Sequence, residues 1–122
     1  MSLPGPIPTV DVIEADRRLR DDPDRPVLLD VRELDEFATV RAPGVLHIPM
    51  STFQARVGDV PDDRPVLVIC HTGGRSAAVT GFLLRTGRAD VANVAGGMDA
   101  WAKAGLPTRS GTPEPGEGQL SG

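Results

Sequence analysis

Short apolar runs alternate with helix-patterned segments along most of the chain, and this alternation is the strongest constraint on its fold. Residues 27–31 (VLLDV) form a continuous apolar run interrupted by one acid, as expected of a strand buried on both faces. Each such run is followed by a segment with helical features, and the other runs lie at residues 7–10, 45–48, 66–69 and 91–94. Alternating strands and helices predict an α/β fold, in which a mostly parallel sheet is covered by helices on both faces.

Several polar residues indicate where the helices begin. Asp11 followed by Glu14 fits a capping box at the start of a first helix. Ser51 or Thr52 is predicted to cap a short helix that continues to about residue 57. A longer helix is predicted over residues 75–86, with the following Gly87 as its stop signal.

The chain of 122 residues fits one domain of ordinary size. Residues 1–6 form a Gly- and Pro-rich lead, which we expect to be flexible, and residues 7–108 carry the strand and helix patterns. Residues 109–122 (RSGTPEPGEGQLSG) have almost no apolar content and predict a disordered C-terminal tail.

Composition and charge exclude several classes of function. Hydrophobic residues make up 39% and charged residues 25%, which is typical of a globular protein in water. The net charge of -4 and the lack of a basic run argue against a nucleic-acid or anionic-membrane partner. No apolar stretch approaches the roughly 20 residues of a membrane span, and the N-terminus lacks the features of a signal peptide.

The chain contains a single cysteine and two histidines. One cysteine cannot form an internal disulfide, which predicts a reducing, cytoplasmic location. With only Cys70, His47 and His71 as nitrogen and sulfur ligands, scattered along the sequence, we expect no metal centre, and no bound cofactor is expected either.

Cys70 ends the apolar run at residues 66–69 and is followed by a glycine-containing loop, His71-Thr72-Gly73-Gly74. Arg75 and Ser76 then open the predicted helix. Ligands of open α/β sheets bind beyond the carboxyl ends of the strands, which is where Cys70 is predicted to lie. Backbone N–H groups freed by the glycines, the helix N-terminus and the Arg75 cation would all lower the pKa of the thiol. The segment therefore predicts a nucleophilic cysteine in an anion-binding loop; the alternative is an inert cysteine buried at a strand end.

Three segments resemble those of the rhodanese superfamily. CHTGGRS resembles its active-site loop, which commonly reads C-x-x-G-x-R. LLDVRELDEFATVRAPGVLHIPM resembles the D-V-R-x-x-x-E-[FY] stretch with its following I-P segment, and VANVAGGMDAWAKAGLPT resembles the C-terminal G-G-x-x-A-W-x-x-A-G-L-P signature. The resemblance implies a single rhodanese domain, with a twisted, mainly parallel sheet of about five strands and helices on both faces.

The resemblance also implies roles for matching positions. Cys70 corresponds to the nucleophile that carries sulfur as a persulfide. The residues of the following loop correspond to the substrate-binding segment, namely His71, Thr72, Gly73, Gly74, Arg75 and Ser76. Asp30 and Arg32 match the D-V-R pair, which is expected to support the fold around the site. Arg41 stands where the family often has histidine, and His47 where asparagine is common; we expect these departures to alter local packing only.

The function implied is a sulfurtransferase that moves sulfane sulfur from a small anion such as thiosulfate to a thiol, to cyanide or to a sulfur-accepting protein. A non-catalytic binding or sulfur-sensing module is the alternative, although the retained cysteine argues against it. Related phosphatases and arsenate reductases have a loop one residue longer than the four residues between Cys70 and Arg75, so this shorter loop disfavours their chemistry.

Overall fold

A five-stranded parallel sheet forms the centre of the computed structural model, which describes residues 6–120. Its order is β1-β5-β4-β2-β3, and every pairing between neighbouring strands is parallel. This arrangement confirms the predicted α/β fold. The strands are β1 Thr9–Val10, β2 Val27–Asp30, β3 Leu46–His47, β4 Val66–Ile69 and β5 Val91–Val94.

The three central strands are buried along their whole length, as their continuous apolar runs predict. Successive side chains point to opposite faces, so each strand contributes to two apolar cores. One core contains Val68 and Cys70 together with Phe53 and Leu83 from the helices on that face. The other contains Ile69 and, from helices on the opposite face, residues that include Phe37, Ala15 and Trp101.

Within residues 6–120, five α-helices cover the sheet. The Asp11 carboxylate caps the first, because it accepts a hydrogen bond from the Glu14 N–H at 2.8 Å. The Glu14 carboxylate binds Arg17, so the other half of the predicted capping box is not formed. None of the helices described between residues 6 and 120 is both long and apolar enough to cross a bilayer. The helices are α1 Val12–Asp21, α2 Leu34–Thr39, α3 Phe53–Arg56, α4 Gly74–Arg85 and α5 Gly97–Lys103.

The segment predicted as one helix from Ser51 or Thr52 is divided into three short pieces. A 3₁₀ turn, Met50–Thr52, precedes α3, and a second, Val57–Asp59, follows it. Thr52 makes no side-chain capping bond. Ser51 uses its hydroxyl elsewhere, since it donates to the Glu33 carboxylate at 2.6 Å just before α2.

Residues 109–120 lie against the outer edge of the sheet, so the structure differs from the disordered tail that we expected. Arg41 and Arg109 form an antiparallel bridge, and the N–H of His47 in the edge strand β3 donates to the Gly118 carbonyl at 2.8 Å. Leu120 packs against the core. Low apolar content was a poor guide because backbone hydrogen bonds, rather than apolar burial, hold most of this segment.

An ion pair also fixes the tail. The buried Arg41 guanidinium binds the Glu117 carboxylate, with Nη2 3.0 Å from Oε1, and donates to the Gly111 carbonyl at 2.7 Å. Residues 1–5 of the expected flexible lead and residues 121–122 of the expected tail lie outside the described residues.

Candidate active site

Cys70 follows the last residue of β4 and is almost fully buried, at 1% exposure. It therefore lies at the carboxyl edge of the sheet, between β4 and α4, as the sequence predicts. The Cys70 carbonyl accepts a hydrogen bond from the Met98 N–H at 2.8 Å, which ties the loop to the first turn of α5. The Cys70 backbone is thus held by two neighbouring elements.

Neutral hydrogen-bonding groups surround the Cys70 sulfur. The Gly73 N–H donates to Sγ at 3.1 Å, and the Ser76 hydroxyl lies 3.2 Å from it. Burial raises the pKa of the Cys70 thiol, but hydrogen bonds from the Ser76 hydroxyl and from the backbone N–H groups of Ser76, Gly73 and Thr72 outweigh it. The net result is a thiol pKa below its usual value.

Two glycines allow close backbone packing in the loop around Cys70. Gly73 precedes α4 with φ +117, in a region that side-chain-bearing residues rarely adopt. Gly97 starts α5 with φ +56, and a Cβ there would collide with the carbonyl oxygens of Cys70 and His71. Both glycines therefore shape the Cys70 loop sterically.

Arg75 binds Glu36 rather than the sulfur. Its Nη1 and Nη2 lie 2.7 Å from the two carboxylate oxygens of Glu36, so the guanidinium fork that we expected to bind a substrate anion is occupied. The hydrogen bond from Arg75 lowers the pKa of Glu36 to about 2, and the same contact raises the pKa of Arg75. The family resemblance pointed to Glu36 only as an acidic position; its contact with Arg75 was not foreseen.

The structure adds Asn93, a residue that the sequence reasoning missed. Asn93 lies in β5, and its Oδ1 accepts a hydrogen bond from the Ser76 hydroxyl at 2.6 Å. Cys70, Ser76 and Asn93 therefore form one chain of hydrogen bonds. The available signal was the single polar residue within the apolar run at residues 91–94.

Asp30 and Arg32 form a buried ion pair where β2 ends. Arg32 Nη2 lies 2.8 Å from the Asp30 carboxylate, and the two side chains are 2% and 0% exposed. Arg32 also donates to the carbonyls of Glu36 and Val40, which fixes the carboxyl-terminal turn of α2. The pair positions the helix that carries Glu36, and its predicted supporting role at the site stays a prediction.

His71 and Thr72 are exposed, and within the described residues their side chains make no hydrogen bond. They border the opening of the loop, and their roles in binding stay predictions. His47 is placed differently: its Nε2 lies 2.7 Å from the Arg32 carbonyl, and its ring stacks on Phe37. Residues 6–120 contain no cluster of three or more His, Cys, Asp or Glu side chains that could hold a metal ion.

Comparison with known proteins identifies the family. Residues 11–104 match the Rhodanese-like domain family. The chain is 36% identical over 98 residues to a sulfurtransferase of Allochromatium vinosum, which covers 80% of this chain and 91% of that protein. It is 37% identical over 81 residues to the thiosulfate sulfurtransferase GlpE of Actinobacillus succinogenes, covering 66% and 73% of the two chains.

The fold agrees with the sequence comparison. The structure matches the crystal structure of a rhodanese-related protein from Thermoplasma volcanium with a TM-score of 0.76 at 26% identity, over 84% of this chain and 97% of that one. The chain therefore belongs to the rhodanese-like domain family. Its sulfurtransferase relatives support sulfur transfer of the rhodanese type.

Proposed function

We propose that the protein is a sulfurtransferase that carries sulfane sulfur as a persulfide on Cys70. The Cys70 thiolate attacks the outer sulfur of a donor such as thiosulfate, the sulfur–sulfur bond of the donor breaks, and sulfite leaves with the bonding electrons. A nucleophilic acceptor then attacks the outer sulfur of the persulfide. This second step returns the thiolate and completes a two-step transfer.

The observation that carries the proposal is the set of neutral donors around a buried sulfur. The Gly73 N–H donates to Sγ at 3.1 Å before any substrate binds, and the Ser76 hydroxyl, 3.2 Å from Sγ, can turn to donate to a thiolate. Backbone N–H groups of the same loop would bind the outer sulfur of a persulfide, because the loop turns around the end of β4 and leads into the N-terminus of α4. A site of this kind stabilises negative charge on sulfur without an unpaired cationic side chain.

We choose thiosulfate as the donor because the relative from Actinobacillus succinogenes is a thiosulfate sulfurtransferase. The acceptor in an assay is cyanide, and in the cell we expect a thiol or a sulfur-accepting protein. A reducing compartment such as the cytoplasm suits this chemistry, since Cys70 must remain a thiol between cycles. The catalytic role of Cys70, and substrate-binding roles for the loop residues from His71 to Ser76, are parts of this proposal.

The test is intact-protein mass spectrometry of the wild type and of Cys70→Ser after incubation with thiosulfate, followed by cyanide. We expect the wild type alone to gain one sulfur atom and to lose it to cyanide as thiocyanate forms. A folded wild-type protein that alkylates at Cys70 but gains no sulfur from thiosulfate would reject thiosulfate as the donor. If glutathione persulfide also left no adduct, the sulfurtransferase proposal would fall in favour of a binding or sensing module.

A further inference from the structure

Asn93 is the only asparagine in the chain, and it occupies the third position of β5, a strand whose four residues are all buried. A carboxamide in such a strand needs a hydrogen-bond partner to offset its loss of water. Among residues 6–120 its side chain makes one hydrogen bond, which it accepts from Ser76. The position of Asn93 is therefore explained by its contact with a residue beside Cys70.

Ser76 has one hydroxyl hydrogen and two neighbours that compete for it. Its Oγ lies 2.6 Å from Asn93 Oδ1 and 3.2 Å from Cys70 Sγ, and the serine is fully buried. A hydroxyl donates one hydrogen bond and accepts others. While the hydrogen points to Asn93, the 3.2 Å contact requires the Cys70 thiol to donate to Ser76. This arrangement stabilises the protonated thiol.

The thiolate requires the opposite direction of donation. Cys70 then has no hydrogen to give, so the Ser76 hydroxyl must turn toward the sulfur. Asn93 Oδ1 would be left 2.6 Å from another oxygen with no hydrogen between them. Rotation of the carboxamide about its terminal torsion brings Nδ2–H to Ser76 and restores the chain of hydrogen bonds.

We propose that Asn93 is a positioning residue whose side-chain amide rotates with the protonation state of Cys70 and acts on the thiol through the Ser76 hydroxyl. We name this chain of three side chains the Ser76–Asn93 relay. On ionisation the proton of Cys70 leaves to solvent, and the two remaining hydrogen bonds reverse direction. The proposal rests on the proposed function only in treating Cys70 as the reacting thiol.

Other charged groups on the elements around Cys70 are largely paired with one another. β2 contributes the Asp30–Arg32 pair, and α2 and α4 contribute the Glu36–Arg75 pair. On α5, Asp99 is paired with Lys103. The loop itself carries the exposed His71. Because none of these groups contacts Asn93, a response of the Asn93 amide that depends on Ser76 reports the relay itself.

The test uses the full-length protein labelled with ¹⁵N, because the chain has only three side-chain amides, those of Asn93, Gln54 and Gln119. The pH midpoint of Cys70 ionisation is measured separately, from the rate of alkylation by iodoacetamide. We expect the Asn93 NH₂ resonances to shift with that same midpoint, while those of the two exposed glutamines do not. Asn93 resonances that stay constant through the midpoint would overturn the proposal.

Ser76→Ala separates the relay from a simple effect of nearby charge. We expect this variant to raise the alkylation midpoint, and to reduce the Asn93 shift at its new midpoint to less than half of the wild-type value. An unchanged Asn93 shift would mean that the amide senses the thiolate directly, which contradicts the relay. In Cys70→Ser we expect no shift of Asn93 in this pH range.

Asn93→Asp provides a directional variant, since a carboxylate only accepts and would hold the Ser76 hydrogen away from the sulfur. We expect the alkylation midpoint to rise by about one pH unit or more, and by less than half as much in the Ser76→Ala background. Equal shifts in both backgrounds would overturn the proposal. A relay seen in a protein that forms no persulfide would defeat the proposed function alone.

Discussion

The ends of β2 and β4 are neighbours in the sheet but are built from different interactions. Asp30 at the end of β2 pairs in register with Ile69, the residue before Cys70. At β2 the polar groups are full charges, Asp30 and Arg32, that satisfy each other while buried. At β4 the sulfur contacts neutral groups instead, the Gly73 N–H and the Ser76 hydroxyl.

The difference shows how the ionisation of a thiol can be controlled separately from buried charges that lie beside it. Opposite charges held in contact largely cancel each other's field, so the Asp30–Arg32 pair fixes α2 without determining the ionisation of the sulfur. The neutral donors of the Cys70 loop then set the thiol pKa. Variants at β2 should therefore alter stability, and variants at β4 should alter reactivity.

Asp30→Asn gives the largest expected effect on stability. It leaves the Arg32 guanidinium buried without a counter-charge, which typically costs about 3–5 kcal/mol of unfolding free energy. The measurement is urea unfolding monitored by circular dichroism. Asp59→Asn is the matched control, because Asp59 pairs with Arg56 on the surface and should contribute less than about 1 kcal/mol. Equal losses in the two variants would contradict the distinction drawn between buried and exposed pairs.

Deletion of residues 109–122 gives the next largest expected loss of unfolding free energy. It removes Glu117 from Arg41 and uncovers the edge strand β3, so we expect a loss of about 2–4 kcal/mol. The loss is smaller than at Asp30 because deletion also opens Arg41 to water. Deletion of residues 121–122 alone is the control and should leave urea unfolding unchanged. A full deletion that also had no effect would support the dispensable tail expected from the sequence.

How much of the structure can be predicted from the sequence depends on how far apart the interacting residues lie along the chain. The β2, β4 and β5 strands follow from continuous apolar runs, and the Cys70 loop follows from contiguous residues, so both were predictable. The Glu36–Arg75 and Ser76–Asn93 contacts join residues 39 and 17 positions apart. Such contacts depend on which strand ends become neighbours, and composition alone does not specify that. The tail was missed for the same reason, because its partner Arg41 is 76 positions from Glu117.

The smallest expected effect on stability is that of Glu36→Gln, which also tests whether Arg75 is restrained. The pKa of Glu36 is lowered to about 2 in the folded protein from its usual 4.5. A lowered pKa contributes stability that is present above the unfolded value and is lost as pH falls through the folded value. Since both side chains are about one-third exposed, solvent screening limits this contribution to about 1 kcal/mol.

Urea unfolding at pH 7 and at pH 3 measures this contribution. We expect the wild type to lose more stability than Glu36→Gln between these two pH values, because the variant lacks the carboxylate that is protonated. Glu33→Gln is the matched control for activity, because Glu33 binds Ser51 rather than Arg75. This substitution removes the same charge from the same end of α2. If Glu36 restrains Arg75, only Glu36→Gln should lower the KM for thiosulfate, by releasing the guanidinium toward the donor anion. Equal changes of KM in both variants would instead indicate a general effect of charge near the loop, and would leave the bidentate contact with a purely structural role.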